Sequence, residues 1–235
     1  MRFVSWNCCG GPGGALAAVG ELGADAAVLC EVPLTCPPAS LFEQEPSWAW
    51  EGQPGSKGLA VVGLTSPLAA RPPLGVGRWS VAAEHESGLG ILGLWSCPPP
   101  GRSYGDEVET ILEAHADWLA ATPSIVAGDF NLAPGGSVDR RTGSVRKVFD
   151  DLDDLGYRSV YHHVSGDAYG AEQSPTYFHR RRQLEPFHID FCFVHRTLLP
   201  LVRDFEVGRY ERWVARRGEA PGHSDHVPLI LDLDL

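Results

Sequence analysis

The sequence predicts an α/β chain built as a sandwich of sheets flanked by helices. Three observations predict it. Short apolar runs punctuated by glycine and proline recur along the whole chain, the pattern of many strands. Two longer segments carry apolar residues at helical spacing. No repeat, low-complexity tail or composition break divides the 235 residues, so strands and helices are expected in a single domain spanning 1–235.

In chain order, strands are expected near Arg2–Trp6, Ala26–Cys30, Trp48–Glu51, Leu59–Leu64, Ser80–His85, Gly90–Trp95 and Ser124–Ala127. Further strands are expected near Ser159–His162, Pro175–Phe178, His188–His195, Leu201–Glu206 and Val227–Leu233. Tyr104, Val108, Ile111, Leu112, Trp118 and Leu119 recur at helical spacing over roughly 104–121. Val145, Val148, Phe149 and Leu152 do the same over 144–155, where Ser144 is a candidate cap. A glycine-rich helix is expected over Gly14–Glu21, and the proline stretches Arg71–Pro73 and Cys97–Pro100 read as loops.

Composition narrows the function. Hydrophobic residues make up 43% of the chain and charged residues 21%, which excludes disorder as the main state. The 19 basic and 30 acidic residues give a net charge of −11, which disfavours tight non-specific binding of nucleic acid by a broad basic surface. Cys8, Cys9, Cys30, Cys36, Cys97 and Cys192 contain no C-x-x-C pair and several lie in apolar runs, a usage that fits a reducing compartment. No apolar run is long enough to span a bilayer, and Met1-Arg2-Phe3-Val4 reads as a strand rather than a signal peptide. The expectation is a cytoplasmic monomer without stable membrane association.

Five places join an apolar strand to a polar group able to bind metal or phosphate. They are Asn7, Glu31, the run Gly128-Asp129-Phe130-Asn131, Asp190, and Gly222-His223-Ser224-Asp225-His226 before the last strand. Strand ends bordering a sheet crevice are where ligands commonly sit. The residue types suit phosphate-ester hydrolysis, which requires an in-line water and neutralised charge on non-bridging oxygens. Magnesium takes oxygen ligands and keeps several waters, so one or two carboxylates suffice. Asparagine amides donate to phosphate without adding negative charge. An aspartate that orients a histidine and raises its pKa makes an acid–base pair near neutrality.

In this order, Ser5-Trp6-Asn7, Cys30-Glu31, Gly128-Asp129-Phe130-Asn131, His188-Ile189-Asp190-Phe191 and Gly222-His223-Ser224-Asp225-His226 resemble the endonuclease/exonuclease/phosphatase superfamily. The resemblance implies a four-layer α-β-β-α sandwich of two mainly antiparallel sheets flanked by helices. It also implies a Mg²⁺-dependent hydrolase, with Mn²⁺ an alternative ion, acting on a phosphate ester such as nucleic acid. Glu31 would be the principal metal carboxylate, with Asn7 and Asp225 near the ion. Asp129 and Asn131 would contact the attacking water and the phosphate, with Asn7 also in the catalytic set. His226 would pair with Asp190, either as a base–carboxylate pair or as a donor to phosphate.

Two positions depart from the pattern. Cys9 stands where many relatives carry a charged residue, and Trp95 where many carry a histidine or tyrosine that helps hold the phosphate or leaving group. His188, two residues before Asp190 on an expected strand, is a candidate substrate contact. Arg181, within Arg180-Arg181-Arg182, is a candidate clamp for an anionic substrate, since arginine matches phosphate bidentately. Gly10, Gly11, Gly13 and Gly14 lack the Lys-Ser/Thr ending of a nucleotide-binding loop. Two other readings stand beside the hydrolase: a catalytically silent protein that binds a nucleotide or protein partner, and a lipid hydrolase that would use Trp48 and Trp50 at a membrane.

Overall fold

The structure is a computed structural model that describes residues 1–10, 12–33, 47–53, 55–215 and 224–235. The first half contains β1 (Arg2–Asn7), α1 (Pro12–Glu21), β2 (Ala26–Pro33), β3 (Ser47–Gly52), β4 (Lys57–Gly63), β5 (Leu68–Ala70), β6 (Ser80–His85) and β7 (Gly90–Trp95). It continues with α2 (Tyr104–Ala121), β8 (Ser124–Asp129), α3 (Ser137–Thr142), α4 (Ser144–Asp154), β9 (Tyr157–Ser159) and α5 (Val160–Ser165). The last part contains β10 (Tyr177–Phe178), β11 (Pro186–Phe187), β12 (Asp190–His195), β13 (Val202–Val207), α6 (Tyr210–Trp213) and β14 (Leu229–Leu233).

Two six-stranded sheets form, in the orders β13-β14-β1-β2-β4-β3 and β5-β6-β7-β8-β12-β9, and β10 and β11 make a separate hairpin. Each sheet is antiparallel except for one pair, β1 with β2 and β7 with β8. Parallel neighbours need a crossover, and α1 and α2 supply the two. The sheets are thus mainly antiparallel, as expected, and each carries its parallel pair near the middle.

Period-two alternation divides the apolar residues into three layers. Phe3, Val28, Cys30, Leu59 and Val61 of the first sheet meet Val81, Ile91, Ile125, Ala127, Cys192 and Val194 of the second in the central layer. Val4, Trp6, Ala27, Leu29 and Val62 point outward and are covered by Leu16 and Val19 of α1 and Trp213 of α6. On the other side Leu92, Leu94, Val126, Phe191 and Phe193 are covered by Val108, Ile111 and Leu112 of α2 and Val145, Val148 and Leu152 of α4. Helix, sheet, sheet and helix therefore stack as four layers.

Helix α2 begins with a capping box: the Ser103 hydroxyl accepts from the Asp106 amide at 3.1 Å and Asp106 accepts from the Ser103 amide at 3.1 Å. Ser144 does not cap α4. Gly143 occupies that place without a side-chain bond, and the Ser144 amide donates instead to Thr142 Oγ1 at 3.3 Å. The strand expected over Ser159–His162 ends at Ser159, where pairing with β12 stops, and Val160 and Tyr161 are both buried on α5. Consecutive buried residues fit a helix face wedged between layers better than strand alternation. Trp48 and Trp50 lie on β3 against the outer layer of the first sheet, with the Trp50 indole donating to Val32 O at 3.1 Å. Among the described residues no helix is long and apolar enough to cross a membrane.

Candidate active site

The alternation that builds the central layer also builds the site. Phe3, Ser5 and Asn7 form the inward row of β1, and Ile125, Ala127 and Asp129 that of β8; Val194, Cys192 and Asp190 do the same on β12. Each row ends on a polar residue at the same edge of the sheets, so Asn7, Asp129 and Asp190 meet where the two sheets open into a crevice. The register sets Asp190 directly opposite Asp129, and Trp95 beside Asp129 on the other flank.

Glu31 reaches the crevice by a different device. A bulge in the β2–β4 pairing, between Cys30 and Val32, leaves Glu31 as an inserted residue with a left-handed backbone, φ 59°. The Asn7 side-chain amide joins it to Asp129, donating to Glu31 Oε1 at 3.2 Å and to Asp129 Oδ2 at 2.9 Å. Asn7 Oδ1 in turn accepts from the Cys9 amide at 3.0 Å, which fixes which way the carboxamide faces. The other oxygen of Glu31 pairs with the ammonium of Lys57.

Asp129 sits in a tight turn that the sequence dictates closely. Gly128 has φ 145°, and a Cβ there would lie 1.8 Å from Leu94 O, so no other residue fits this approach to β7. Phe130 turns outward into the α2–α4 layer. Asn131, at φ 53°, donates its backbone amide to Asp129 Oδ1 at 2.9 Å. Its side-chain amide donates to Asp129 Oδ2 at 3.2 Å and to Ser96 O at 3.0 Å.

His226 enters just before β14. Its Nδ1 lies 2.8 Å from Asp190 Oδ2, while Nε2 faces Asp129 Oδ2 at 4.0 Å. The backbone around it is pinned: the His226 amide donates to Ser224 Oγ at 3.0 Å, Ser224 Oγ donates to Asn7 O at 2.5 Å, and the Trp6 indole donates to His226 O at 3.1 Å. The Thr176 hydroxyl accepts the amides of Ile189 and Asp190, each at 3.0 Å, and holds the start of β12.

Asp129, Asp190 and His226 are only 1%, 2% and 5% exposed, so their charges must compensate one another. Burial opposes the imidazolium, but the charge and hydrogen bond of Asp190, with Asp129 and Asp225, outweigh it and raise His226 to about 9. Burial, followed by the charge of Asp190, raises Asp129 to about 7, against the opposing effects of His226, Asn7 and Asn131. One ligand atom from each of the three lies within 4.8 Å of the others, as a compact cation site would require.

The remaining expected residues divide. Asp225 stands at the mouth, where its charge acts on His226, Cys9 and Tyr177, and its backbone oxygen accepts from the Phe178 amide at 2.8 Å. Cys9 is pushed up by burial and by Asp225 and Glu31, with Lys57 and Arg181 opposing, so these charged groups all act on one half-buried thiol. Arg181 thus belongs to the surroundings of the mouth; its backbone oxygen accepts from Tyr210 OH at 2.9 Å. His188 packs elsewhere. Strand β12 begins only at Asp190, so alternation does not carry back to residue 188. Its ring lies 4.6 Å from Tyr161 and 4.9 Å from Phe191, and its Nδ1 is 2.6 Å from Ser174 O. Gly222 and His223 lie outside the described residues.

Three neighbours of the site were not anticipated. Tyr177 lies 4.7 Å from the His226 ring and stacks with Phe187 of the same hairpin at 6.2 Å, and Phe187 is 47% exposed. Lys57 is the third. Only the hairpin pairing of Tyr177 with Phe187 reveals the first two, and a lysine opening an apolar strand reads in sequence as a solvated strand end.

Two sheets with one central parallel pair each, helices on both outer faces and polar residues at the sheet crevice define the endonuclease/exonuclease/phosphatase sandwich. Among solved structures the chain is similar to the 3′ phosphatase NExo from Neisseria bound to a product DNA hairpin, with TM-score 0.74 and 19% identity. It is also similar to the 3′-5′ exonuclease NExo from Neisseria meningitidis (TM-score 0.72, 19% identity). A third is an AP endonuclease from Archaeoglobus fulgidus (TM-score 0.72, 16% identity). Each comparison covers 100% of both chains. At these identities the likeness is one of fold. No protein-family model and no curated protein matches the sequence.

Proposed function

We propose that the chain is a divalent-metal-dependent phosphoric ester hydrolase that acts on nucleic acid, a DNA end or strand. The observation that carries the reading is the geometry at the crevice, where His226 is held by Asp190 at 2.8 Å and faces Asp129 at 4.0 Å. Asp129, raised to about 7, is poised to take a proton near neutrality, beside a His226 raised to about 9 that stays cationic. Asp129 is therefore assigned as the base for the attacking water. His226, held by Asp190, is the donor to a phosphate oxygen. Asn131 and Asn7 fix the Asp129 carboxylate through their amides and so hold its free lone pairs toward the crevice.

The residues at the mouth fit a hard cation, because Glu31 and Asp225 offer carboxylate oxygens in a crevice already crowded with negative charge. Glu31 and Asp225 would hold Mg²⁺ or Mn²⁺, with Asn7 orienting Glu31. When bound, the ion supplies charge neutralisation at the non-bridging oxygens. Trp95 flanks Asp129 and offers no titratable group to a leaving oxygen, which leaves proton donation on this side to water. The exposed Tyr177–Phe187 stack beside His226 suits an unpaired base, since aromatic faces accept any base. The DNA hairpin bound by the similar NExo phosphatase supports the same substrate class.

The test is hydrolysis of bis(p-nitrophenyl) phosphate, p-nitrophenyl phosphate and a 3′-phosphorylated DNA hairpin, each with Mg²⁺, Mn²⁺ or EDTA. Asp129→Asn and His226→Ala, purified in parallel, are the controls. Metal-dependent turnover lost in both variants supports the reading. Metal-independent turnover, or turnover retained by Asp129→Asn, sinks it.

A further inference from the structure

Lys57 lies outside every role assigned so far, yet it touches the carboxylate on which the metal reading depends. It opens β4 and pairs with Pro33 just beyond the bulge that exposes Glu31. Its ammonium pairs with Glu31 Oε2, while Oε1 accepts the Asn7 amide at 3.2 Å. Both oxygens of Glu31 are therefore engaged by donors of this chain.

The pose of Lys57 is built rather than incidental. Its stem runs against Gly10, where a Cβ would lie 2.9 Å from Lys57 Cε and 3.6 Å from Nζ. Gly10 also has φ 79°, so both its missing side chain and its backbone conformation clear this path.

We propose that Lys57 competes with the divalent ion for Glu31, and that the ammonium displaced by the ion becomes a ligand for the substrate phosphate. The inference rests on the metal-dependent hydrolase reading. Its logic is electrostatic. Magnesium binds a carboxylate oxygen at about 2.0–2.1 Å and demands near-octahedral geometry, so an ammonium on the same oxygen is both a steric and a charge rival. Once released, the ammonium remains tethered at the crevice mouth beside Cys9, where a phosphate is the anion available to it. Metal entry and phosphate binding are then coupled through one side chain, and ion affinity is held low until substrate is present.

The experiment uses the full chain and Mn²⁺ alone as probe, with affinity read by electron paramagnetic resonance and by calorimetry. Lys57→Met keeps the apolar stem against Gly10 and removes the charge, and Lys57→Arg keeps the charge. Lys57→Met should bind Mn²⁺ roughly tenfold more tightly than wild type, the size of a typical coupling between linked sites, with Lys57→Arg close to wild type. At saturating Mn²⁺ the same Lys57→Met should show a raised KM for bis(p-nitrophenyl) phosphate. Tighter ion binding with weaker substrate binding is a pair of opposite signs that a loss of folding does not produce. Unchanged or weaker Mn²⁺ affinity in Lys57→Met, with wild type binding Mn²⁺ and turning over, overturns the competition alone. An unchanged KM overturns the phosphate role. Wild type that binds no Mn²⁺ at all removes the hydrolase reading and this inference together.

Discussion

His226 divides its two ring nitrogens between two aspartates: Nδ1 is hydrogen-bonded to Asp190 at 2.8 Å, and Nε2 faces Asp129 at 4.0 Å. The short contact fixes the ring and its charge. The long one is beyond hydrogen-bond distance and leaves Nε2 unbonded to Asp129. Asp190→Asn keeps the shape and removes the largest charge that offsets burial, so the His226 pKa should fall clearly from about 9. Turnover should fall by about 10²–10⁴-fold, the usual contribution of a positioned proton-handling group. Titration of the His226 ring by NMR in wild type and variant checks this; an unmoved His226 would remove Asp190 from the argument.

The same pair makes stability depend on pH in a stated direction. His226 rises from 6.5 to about 9 on folding, so its contribution is complete below pH 6.5 and is lost as pH rises through 9. Asp129 rises from 3.8 to about 7, so its ionisation costs stability progressively as pH rises between those values. Both slopes have the same sign. Thermal unfolding in EDTA should therefore show Tm falling from pH 6 to pH 9, and a Tm that is flat or rises over that interval contradicts the assigned charges. Added Mg²⁺ should raise Tm more at pH 8 than at pH 6, because a cation rewards the ionised Asp129.

Much of this site is legible in sequence, and the exceptions have physical reasons. The inward rows ending in Asn7, Asp129 and Asp190 follow from strand alternation, which any strand of correct register must obey. Helix α2 is legible to its bounds because its apolar stripe keeps helical spacing along its length. Glu31 is legible as a polar residue ending an apolar run, but the bulge that turns it is a property of pairing with β4 and leaves no local mark. Lys57 is invisible for the same reason, since its partner lies across the sheet. The strand expected from His188 begins only at Asp190, because the Ile189 and Asp190 amides both bond the Thr176 hydroxyl instead of a strand partner.

Among the described glycines, Gly128 has the closest backbone approach. A methyl group would lie 1.8 Å from Leu94 O, and the strand cannot withdraw without breaking its parallel pairing with β7 or moving Asp129. Gly128→Ala should destabilise the fold by about 3 kcal/mol or more, the range of combined steric and special-backbone losses. Urea denaturation measures it. A loss below about 1 kcal/mol would mean that the turn relaxes freely and that its strain does not position Asp129.

The hairpin of β10 and β11 offers a test of the nucleic-acid reading. Tyr177 contacts the His226 ring at 4.7 Å and stacks on Phe187 at 6.2 Å, which places an aromatic face next to the imidazole. A base stacked there contributes about 1–3 kcal/mol, whereas an ester without a ring, such as glycerol phosphate, has nothing to stack. Phe187→Ala, the more exposed of the two, should therefore raise KM for a DNA oligonucleotide roughly 5- to 150-fold and leave KM for glycerol phosphate within about twofold. Tyr177→Ala also loosens His226 and should lower kcat on both substrates, so Phe187 is the cleaner probe. Equal effects of Phe187→Ala on the two substrates would assign the hairpin to holding the site and not to reading a base.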